Sequence, residues 1–330
     1  MAANFWASSH CKSWIFRKED LLARQKRTHE EAVDAGARNL LLARPHPSRE
    51  NGASLNGREG APPASKRARR SYAERDESKA VTFTMFEYRL IMWHLVHLLQ
   101  STSKKLKFSP KIMATAVLYM KRFFIESSFY EFDPRVVVPT SLYLATKVEE
   151  YGHIKVEHIL GKMEVCYQSD SFKLSGKFLS VTPKDVYDCE IHMLQRLRFD
   201  LIVHHPHSYL ENYLKNAASS LPSGESAEER FVAIAQTALT VLNDSYRADV
   251  CLICPPHLIA LASIHIASTT QKRDLRSWFD SLHISYEEVL GAAKDVLDMY
   301  ATHGEFLCDA EIQTHAVKKL NAYHERTIAR

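Results

Sequence analysis

Apolar side chains recur at helical spacing through most of the chain. One run places Val186, Cys189, Met193 and Leu197 three or four positions apart, so that all four lie on one face of a helix. Alternation of apolar and polar residues between glycine turns, the sign of strands, is nearly absent, and only 10 of the 330 residues are glycine. The pattern predicts an all-α fold.

Capping residues and prolines mark where the helices begin. A Ser or Thr followed three positions later by Glu forms a capping box at Thr84, Ser226 and Ser285. A proline in the first helical turn predicts further starts at Pro110, Pro134, Pro183 and Pro256. Together these signals predict two sets of about five helices, each wrapped around one nearly all-apolar helix.

Other helix boundaries are set by weaker signals. The helix that follows Thr84 is expected to end near Gln100. Pro139 is expected to bend or restart the helix that Pro134 begins, and that helix should end near Tyr151. The stretch FDLIVHHPH, residues 199–207, has the character of a linker between the two sets.

Residues 4–27 are predicted to form one amphipathic helix, capped by Ser8 or Ser9. Trp6 and Trp14 are eight positions apart, close to two helical turns, and should therefore share a broad face. Either this face packs on the neighbouring domain, or one of the two tryptophans lines an exposed groove for a partner.

Residues 32–80 differ in composition from the rest of the chain. Between residues 44 and 79, Pro, Gly, Ser and charged residues dominate, and Leu55 is the only large aliphatic residue. Such a segment cannot bury enough apolar surface to offset the entropy of ordering, so a disordered insert is predicted. It contains a basic cluster that is typical of a nuclear import signal, with solvated charge or a nucleic-acid contact as alternatives: Lys66, Arg67, Arg69 and Arg70.

The net charge of +4 comes from this insert. Residues 44–79 hold nine Lys or Arg and five Asp or Glu, whereas the remaining chain holds 34 of each sign. The globular part is therefore not a general basic surface for nucleic acid. Six scattered cysteines indicate a reducing compartment, the cytosol or the nucleus. No apolar run long enough for a membrane span occurs, and the N-terminus lacks the pattern of a secretory signal.

Sequence signatures of catalysis are missing. The chain contains no nucleophile elbow, zinc-protease motif, phosphate loop or dinucleotide fingerprint. Glu149 and Glu150 are adjacent, so they point about 100° apart on a helix and indicate a solvated helix end rather than an acid–base pair. We therefore predict a protein without catalysis of its own and without a cofactor.

One cysteine pair has the spacing of half a zinc site. Cys251 and Cys254 are separated by two residues, as in many zinc sites. Two prolines follow directly, and His265 lies in the middle of an apolar helix. Buried structural thiols are the better interpretation, and no metal is expected.

Two charged residues border apolar helix faces. Lys147 lies between Ala145 and Val148, and Glu190 follows Cys189 in the helix that Pro183 begins. Each charged group can simply extend to water along its own side chain. If the two helices lie side by side, the charges would instead frame an apolar patch suited to a partner helix, and both would be accessible to solvent in the free protein.

Three motifs resemble the cyclin family. ATKVEE (145–150) resembles the family's A-S-K-[FV]-E-E signature, with Thr146 in place of serine. CEIHMLQRLRFDL (189–201) is similar to the run that ends the fifth helix of a cyclin box, and VLYMKRFF (117–124) resembles the second-helix run. The resemblance extends over residues 1–25 and about 83–303.

The resemblance implies tandem cyclin boxes, two five-helix bundles preceded by an N-terminal helix. The expected limits are 1–31 for the N-terminal helix, 32–80 for the insert, 81–204 for the first box, 205–304 for the second box and 305–330 for a C-terminal tail.

The resemblance also implies a function in which the protein activates another enzyme. In the family, the lysine and glutamate that match Lys147 and Glu190 contact a cyclin-dependent kinase. Apolar residues pack beside them, at the positions of Val148, Leu194, Phe199 and Leu201. The implied protein is a regulatory subunit that binds and activates this kinase. In the transcriptional branch of the family, the kinase belongs to the Mediator complex, which acts in the nucleus on transcription by RNA polymerase II.

A second partner surface is implied for another subunit of the Mediator kinase module. It would be a groove formed by Trp6, Asn243, Asp244 and Tyr300. The alternative function is that of a nucleic-acid-binding transcription factor of the TFIIB type, which also has two cyclin-like repeats. The neutral charge outside the insert argues against it, so neither direct nucleic-acid binding nor membrane binding is expected.

Overall fold

The computed structural model describes residues 4–29, 83–168, 181–219, 225–302 and 315–320. Every regular element in these ranges is helical, which confirms the all-α prediction. None of the described helices is long and apolar enough to cross a membrane. The predicted insert at 32–80 and its basic cluster, Lys66, Arg67, Arg69 and Arg70, lie outside the described residues.

The N-terminal segment is broken, so the prediction of a single helix over residues 4–27 is wrong. It consists of three pieces: a 3-10 turn at Phe5–Ala7, α1 at Ser9–Trp14, and α2 at 18–29. The hydroxyl of Ser8 accepts a hydrogen bond from the N–H of Cys11 and caps α1, as expected. The break has a tertiary cause, because the N–H of Phe16 donates to the carbonyl of Leu252 (2.8 Å), which lies in the second half of the chain.

Trp6 and Trp14 do not share a face. Trp14 is buried, its Nε1–H donates to a carboxylate oxygen of Asp200 (3.0 Å), and its ring centroid lies 5.0 Å from the guanidinium carbon of Arg122. Trp6 is 60% exposed. Trp14 therefore anchors the segment on the first bundle, while Trp6 remains on the surface.

The first bundle contains five helices, as predicted. They are α3 (Met85–Lys105), α4 (Pro110–Glu126), α5 (Pro134–Val148), α6 (Val156–Tyr167) and α7 (Pro183–Arg196). The capping box of Thr84 and Glu87 is present, with both reciprocal hydrogen bonds. Helix α5 is the central one and contacts the other four.

Helix α5 continues through Pro139 without a restart. The hydroxyl of Thr140 donates to the carbonyl of Val136 (2.7 Å) and so adds a hydrogen bond to the turn that contains the proline. The helix ends at Val148, three residues before the predicted end at Tyr151. Close packing on four neighbours explains why a proline is tolerated inside this helix.

The second bundle repeats this plan. It contains α8 (Pro206–Ser219), α9 (Glu225–Ser245), α10 (Val250–Ile253), α11 (Pro256–Thr270), α12 (Arg276–Ser281) and α13 (Tyr286–Thr302). Helix α11 is almost wholly buried and packs on α8, α9 and α13. The duplication that the sequence suggested, with one buried proline-initiated helix in each half, is therefore present. The short α10 was not predicted.

One face of α4 holds the linker between the bundles. The hydroxyl of Tyr119 donates to the carbonyl of Leu201 (2.5 Å), and Arg122 donates to the carbonyl of Asp200 (3.5 Å). Thr115, one helical turn before Tyr119, is hydrogen-bonded to His205 (2.7 Å). Because these α4 residues recur at i, i+4 and i+7, they follow the linker along its length.

An ion pair between a buried lysine and a partly exposed aspartate ties both bundles to the N-terminal segment. Lys121 of α4 is almost fully buried, and its ammonium group lies 3.1 Å from a carboxylate oxygen of Asp249, between α9 and α10. The other oxygen of Asp249 accepts a hydrogen bond from Gln25 of α2 (3.1 Å). A charge that is buried in this way requires its partner, so the two bundles and α2 are expected to form one cooperative unit.

The C-terminal region, predicted as a tail over 305–330, contains a docked helix in its described part. Residues 315–320 form α14, in which Ala316 and Leu320 are buried in the core. Lys319 lies between the carboxylate of Glu87 (2.7 Å) and the ring of Phe83 (5.4 Å to its centroid). This helix therefore packs on the start of the first bundle.

Candidate partner-binding site

Helices α5 and α7 lie side by side and join the two charges that the sequence singled out. The ammonium nitrogen of Lys147 is 2.7 and 2.9 Å from the two carboxylate oxygens of Glu190. Lys147 is accessible, with 47% of its side chain exposed, but Glu190 retains only 13%. The prediction that both would be accessible therefore holds for Lys147 and is wrong for Glu190, most of whose side chain is shielded in the free chain.

Aromatic rings complete this ion pair. The ammonium nitrogen of Lys147 lies 4.3 Å from the centroid of the Tyr143 ring, and Tyr143 meets Tyr187 of α7 edge to face. Desolvation lowers the pKa of Lys147, but hydrogen bonding and charge attraction to Glu190, together with smaller effects of Tyr143, outweigh it and the pKa is raised. Lys147 is therefore held as a cation in a fixed position at the surface.

The end of α7 projects Phe199 into solvent. The N–H of Phe199 donates to the carbonyl of Leu194 and the N–H of Arg198 to that of Gln195, both at 3.0 Å, which is the hydrogen-bond pattern of a Schellman motif. Arg198 and Phe199 both have positive φ, 55° and 57°, although neither is glycine. Strained backbone of this kind concentrates at functional sites. Phe199 is 66% exposed as a result.

The remaining predicted contact residues lie around this surface but are less exposed. Val148 ends α5 and Leu194 lies in the last turn of α7, and both are half-buried against the core. Leu201 is held by Tyr119 and is half-buried as well. The fold thus brings the predicted set onto adjoining parts of α5, α7 and the linker, and their contact with a kinase stays a prediction.

Three residues of this surface were missed in the sequence. Tyr187 and Ile191 are exposed on α7, and Tyr143 lies beneath Lys147. A signal for two of them existed, because Tyr187, Ile191 and Leu194 are spaced i, i+4 and i+7 and form a second apolar stripe beside the buried one. The pairing of Tyr143 with Lys147 follows from the same rule of four-residue spacing.

Glu149 is not part of a solvated helix end, as the sequence suggested. Its side chain is only 8% exposed, one carboxylate oxygen lies 2.5 Å from the ammonium group of Lys111, and the other accepts a hydrogen bond from Thr115 (2.6 Å). Glu150 is exposed and has a positive φ of 51°. The two neighbouring glutamates therefore have different environments, one structural and one open to solvent.

The second predicted groove is assembled only in part. The hydroxyl of Tyr300 donates to Asp244 (2.9 Å), and the amide oxygen of Asn243 lies 3.1 Å from a ring nitrogen of His207. Trp6 contacts a different element, since its ring centroid lies 5.5 Å from that of His257 at the start of α11. Asn243, Asp244 and Tyr300 are thus neighbours, and the participation of Trp6 stays a prediction.

The thiols of Cys254 and Cys189 have the properties of groups packed in the protein core. Burial raises the pKa of the Cys254 thiol to about 12 and that of the Cys189 thiol to about 11. Both are therefore protonated and unreactive at neutral pH. Within the described ranges, the side chains that can ligate metal form no group of three or more.

Comparison with known proteins identifies the family. The sequence model described as "Cyclin, N-terminal domain" matches residues 66–202. Cyclin-C1-2 of Arabidopsis thaliana is 33% identical over 232 residues, which are 70% of this chain and 83% of the relative. The chain belongs to the cyclin family. Within that family it is cyclin C-like, since Cyclin-C of Rattus norvegicus is also similar, at 29% identity over 214 residues, 65% of this chain and 73% of the relative.

A solved structure shares the fold of this cyclin. The structure of the CAK complex from Chaetomium thermophilum bound to ATP-gamma-S contains a chain that matches with a TM-score of 0.68 at 22% identity. The match covers 96% of this chain and 88% of that chain. The motifs around Lys147 and Glu190, from which the resemblance was first drawn, therefore lie in a cyclin fold.

Proposed function

We propose that this cyclin is the regulatory subunit of a cyclin-dependent kinase, and that it binds and activates the kinase of the Mediator complex to regulate transcription by RNA polymerase II. Membership of the cyclin family and similarity to cyclin C support the proposal. The observation that carries it is the Lys147–Glu190 pair, which joins α5 to α7 through a fixed cation. Helix α7 also exposes the apolar side chains of Tyr187 and Ile191, and Phe199 is exposed just after its end.

The physical role of this surface is selective binding. Covering exposed apolar side chains with a partner helix is favourable, because it removes apolar surface from water. The central charge orients the partner and disfavours the binding of other proteins. A kinase has more than one position for its regulatory helix, and a ligand that binds one position better shifts the population toward it. The cyclin would thus activate the kinase without any catalysis of its own.

Reversing the charge of Lys147 tests this proposal. Truncating or reversing a desolvated interface charge costs about 2–5 kcal/mol, because its partner is left unpaired. Lys147→Glu should therefore weaken binding to the Mediator-associated cyclin-dependent kinase by roughly 30-fold or more. Because Lys147 is half-exposed, loss of its ion pair should lower the stability of the free cyclin by about 1 kcal/mol, and the chain should remain folded during the binding measurement. Calorimetry with the kinase and thermal unfolding of the free chain measure the two effects.

Two further variants separate the interface from the fold. Lys215→Glu breaks an exposed pair of similar length, 2.6 Å to Glu211, on the second bundle, and should leave kinase binding unchanged. The double variant Lys147→Glu/Glu190→Lys restores an ion pair in the free chain and should still bind poorly. Wild-type affinity in Lys147→Glu, or recovery of binding in the double variant, would show that Lys147 is not an interface residue.

We further propose that Trp6, Asn243, Asp244 and Tyr300 serve a second subunit of the Mediator kinase module. The Tyr300–Asp244 hydrogen bond and the exposed ring of Trp6 support this assignment. Exposed tryptophan is a frequent anchor at protein interfaces.

We place the protein in the nucleus. The basic cluster at residues 66–70 supports this localisation, because a short run of Lys and Arg is the usual form of an import signal. We assign the import function to Lys66, Arg67, Arg69 and Arg70.

A further inference from the structure

A chain of four buried polar side chains joins the second bundle to the end of α5. The hydroxyl of Tyr246, just after α9, lies 3.0 Å from Nδ1 of His205 in the linker. Nε2 of His205 lies 2.7 Å from the hydroxyl of Thr115 in α4, and this hydroxyl lies 2.6 Å from Glu149. Glu149 is the residue that follows α5, two positions after Lys147.

The charge of Glu149 determines the direction of every hydrogen bond in this chain. A carboxylate paired with the ammonium group of Lys111 only accepts, so Thr115 must donate its single hydroxyl proton to it. The oxygen of Thr115 must then accept from Nε2–H of His205. Nδ1 of this neutral histidine is left as an acceptor, and Tyr246 must donate to it. All donors therefore point toward Glu149.

Burial makes each of these hydrogen bonds costly to lose. Thr115, His205 and Tyr246 are almost inaccessible to water. Burial lowers the pKa of His205 well below its ordinary value, so that the ring is neutral, as the hydrogen-bond directions require. A buried donor or acceptor left without a partner is not compensated by solvent. Removing one group should therefore disturb the whole chain and release Glu149 from one of its two anchors.

We propose that Tyr246, His205 and Thr115 are positioning residues through which the second bundle holds the last turn of α5, and with it Lys147, in the geometry that binds the kinase. The inference rests on the proposed function. It assigns the second bundle a role in kinase binding that requires no contact with the kinase, because the hydrogen-bond chain ends at Glu149, two residues after Lys147.

Variants that preserve shape but remove one hydroxyl test the inference in the full chain. Tyr246→Phe and Thr115→Val should each weaken binding to the Mediator-associated kinase by roughly tenfold, within the usual range of coupling between distant sites. Thr115→Ser keeps the hydroxyl and should bind within about twofold of wild type. Thermal unfolding of each variant shows whether it is folded at the temperature of the binding measurement.

A spectroscopic readout separates positioning from plain stability. Nitrogen chemical shifts of His205 should show the Nε2–H tautomer in the wild type and in Thr115→Ser, and a changed ring environment in Thr115→Val. If folded Thr115→Val and Tyr246→Phe bind the kinase like the wild type while Lys147→Glu does not, the inference is wrong and the proposed function stands. If the wild-type chain itself fails to bind the kinase, the proposed function fails first.

Discussion

At the scale of single residues, buried histidines tie the stability of this cyclin to pH. His10 is buried against the linker, where its Nδ1 accepts from the N–H of His204 (3.0 Å). Burial, with smaller effects of Arg122 and His204, lowers the pKa of His10 to about 3. The pKa of His205 and His207 is lowered by burial as well. These side chains are neutral in the folded protein, although they take up protons near pH 6.5 in the unfolded chain.

The sign of the resulting pH effect follows from this difference. Below about pH 6.5 the unfolded chain binds more protons than the folded one, so the free energy of unfolding falls as the pH is lowered toward 3. For His10 alone, a change from pH 7 to pH 5 should cost about 2 kcal/mol. Denaturant unfolding of His10→Asn, which keeps a hydrogen-bond acceptor, should therefore depend less on pH over this range than the wild type does. The exposed His158→Asn is the matched control, and an equal slope in wild type and His10→Asn would contradict the assignment.

At the scale of helices, the way in which they end is unusual. Among the residues that the structure describes, five helices are followed by a non-glycine residue with positive φ, at the position where a Schellman motif usually has glycine: Lys107, Glu150, Arg198, Lys272 and His283. After α3, the N–H of Phe108 donates to the carbonyl of Ser103 (3.0 Å), which completes the motif around Lys107. A side chain in this conformation costs roughly 1–2 kcal/mol, which glycine avoids.

Lys107→Gly is therefore expected to stabilise the protein. Lys107 is exposed and its φ is 56°, so the substitution relieves backbone strain at little loss of contacts. Glycine also gains freedom in the unfolded chain, which leaves a net increase of about 0.5–1 kcal/mol in the free energy of unfolding. Lys104→Gly is the matched control: it lies in the last turn of the same helix, where its backbone is helical, and should destabilise by about 0.5–1 kcal/mol. Thermal unfolding distinguishes the two, and a decrease in both would contradict the interpretation.

The same helix ends explain what the sequence could and could not predict. Most helix starts were predicted because their signals are local, as in the capping box of Thr84. The start predicted at Ser226 was placed slightly late, since α9 already begins at Glu225. Helix ends were placed wrongly because glycine, the usual local sign of a helix end, does not mark them. Helix α3, for example, ends at Lys105, whereas the predicted end was near Gln100. The break at Phe16 was missed because its cause is a hydrogen bond to Leu252, more than two hundred residues away.

The candidate site shows the same division between local and distant causes. Lys147 and Glu190 were found separately from their places beside apolar faces, but only the packing of α5 on α7 joins them. Glu149 was misjudged because its partners, Lys111 and Thr115, lie on another helix. Hydrophobic periodicity reports on one helix at a time, so it contains no information on hydrogen bonds between helices.

At the scale of the whole molecule, the described residues on either side of the predicted insert are held together. A ring nitrogen of His29, at the end of α2, is hydrogen-bonded to the carbonyl oxygen of Phe83, just before α3. Both segments of the chain are anchored on the first bundle at this point. Next to His29, the hydroxyl of Thr28 donates to the carbonyl of Ile125 (2.9 Å), and the N–H of Phe83 donates to the hydroxyl of Tyr130 (2.8 Å). The backbone therefore leaves the first bundle after His29 and rejoins it at Phe83 at neighbouring points, whatever the number of residues between them.

Replacing residues 32–80 by about six residues of Gly and Ser, enough to span two neighbouring ends, should leave kinase affinity unchanged. Shortening the loop roughly fivefold reduces the entropic cost of closing it and should raise the free energy of unfolding by about 1.4 kcal/mol. The nuclear fraction in cells should fall, because the basic cluster is removed. Changing only Lys66, Arg67, Arg69 and Arg70 to Ala should lower the nuclear fraction equally while leaving stability as in the wild type. Loss of kinase binding in the shortened chain would show that the insert takes part in the interface, and undiminished nuclear entry of the alanine variant would show that import relies on another signal.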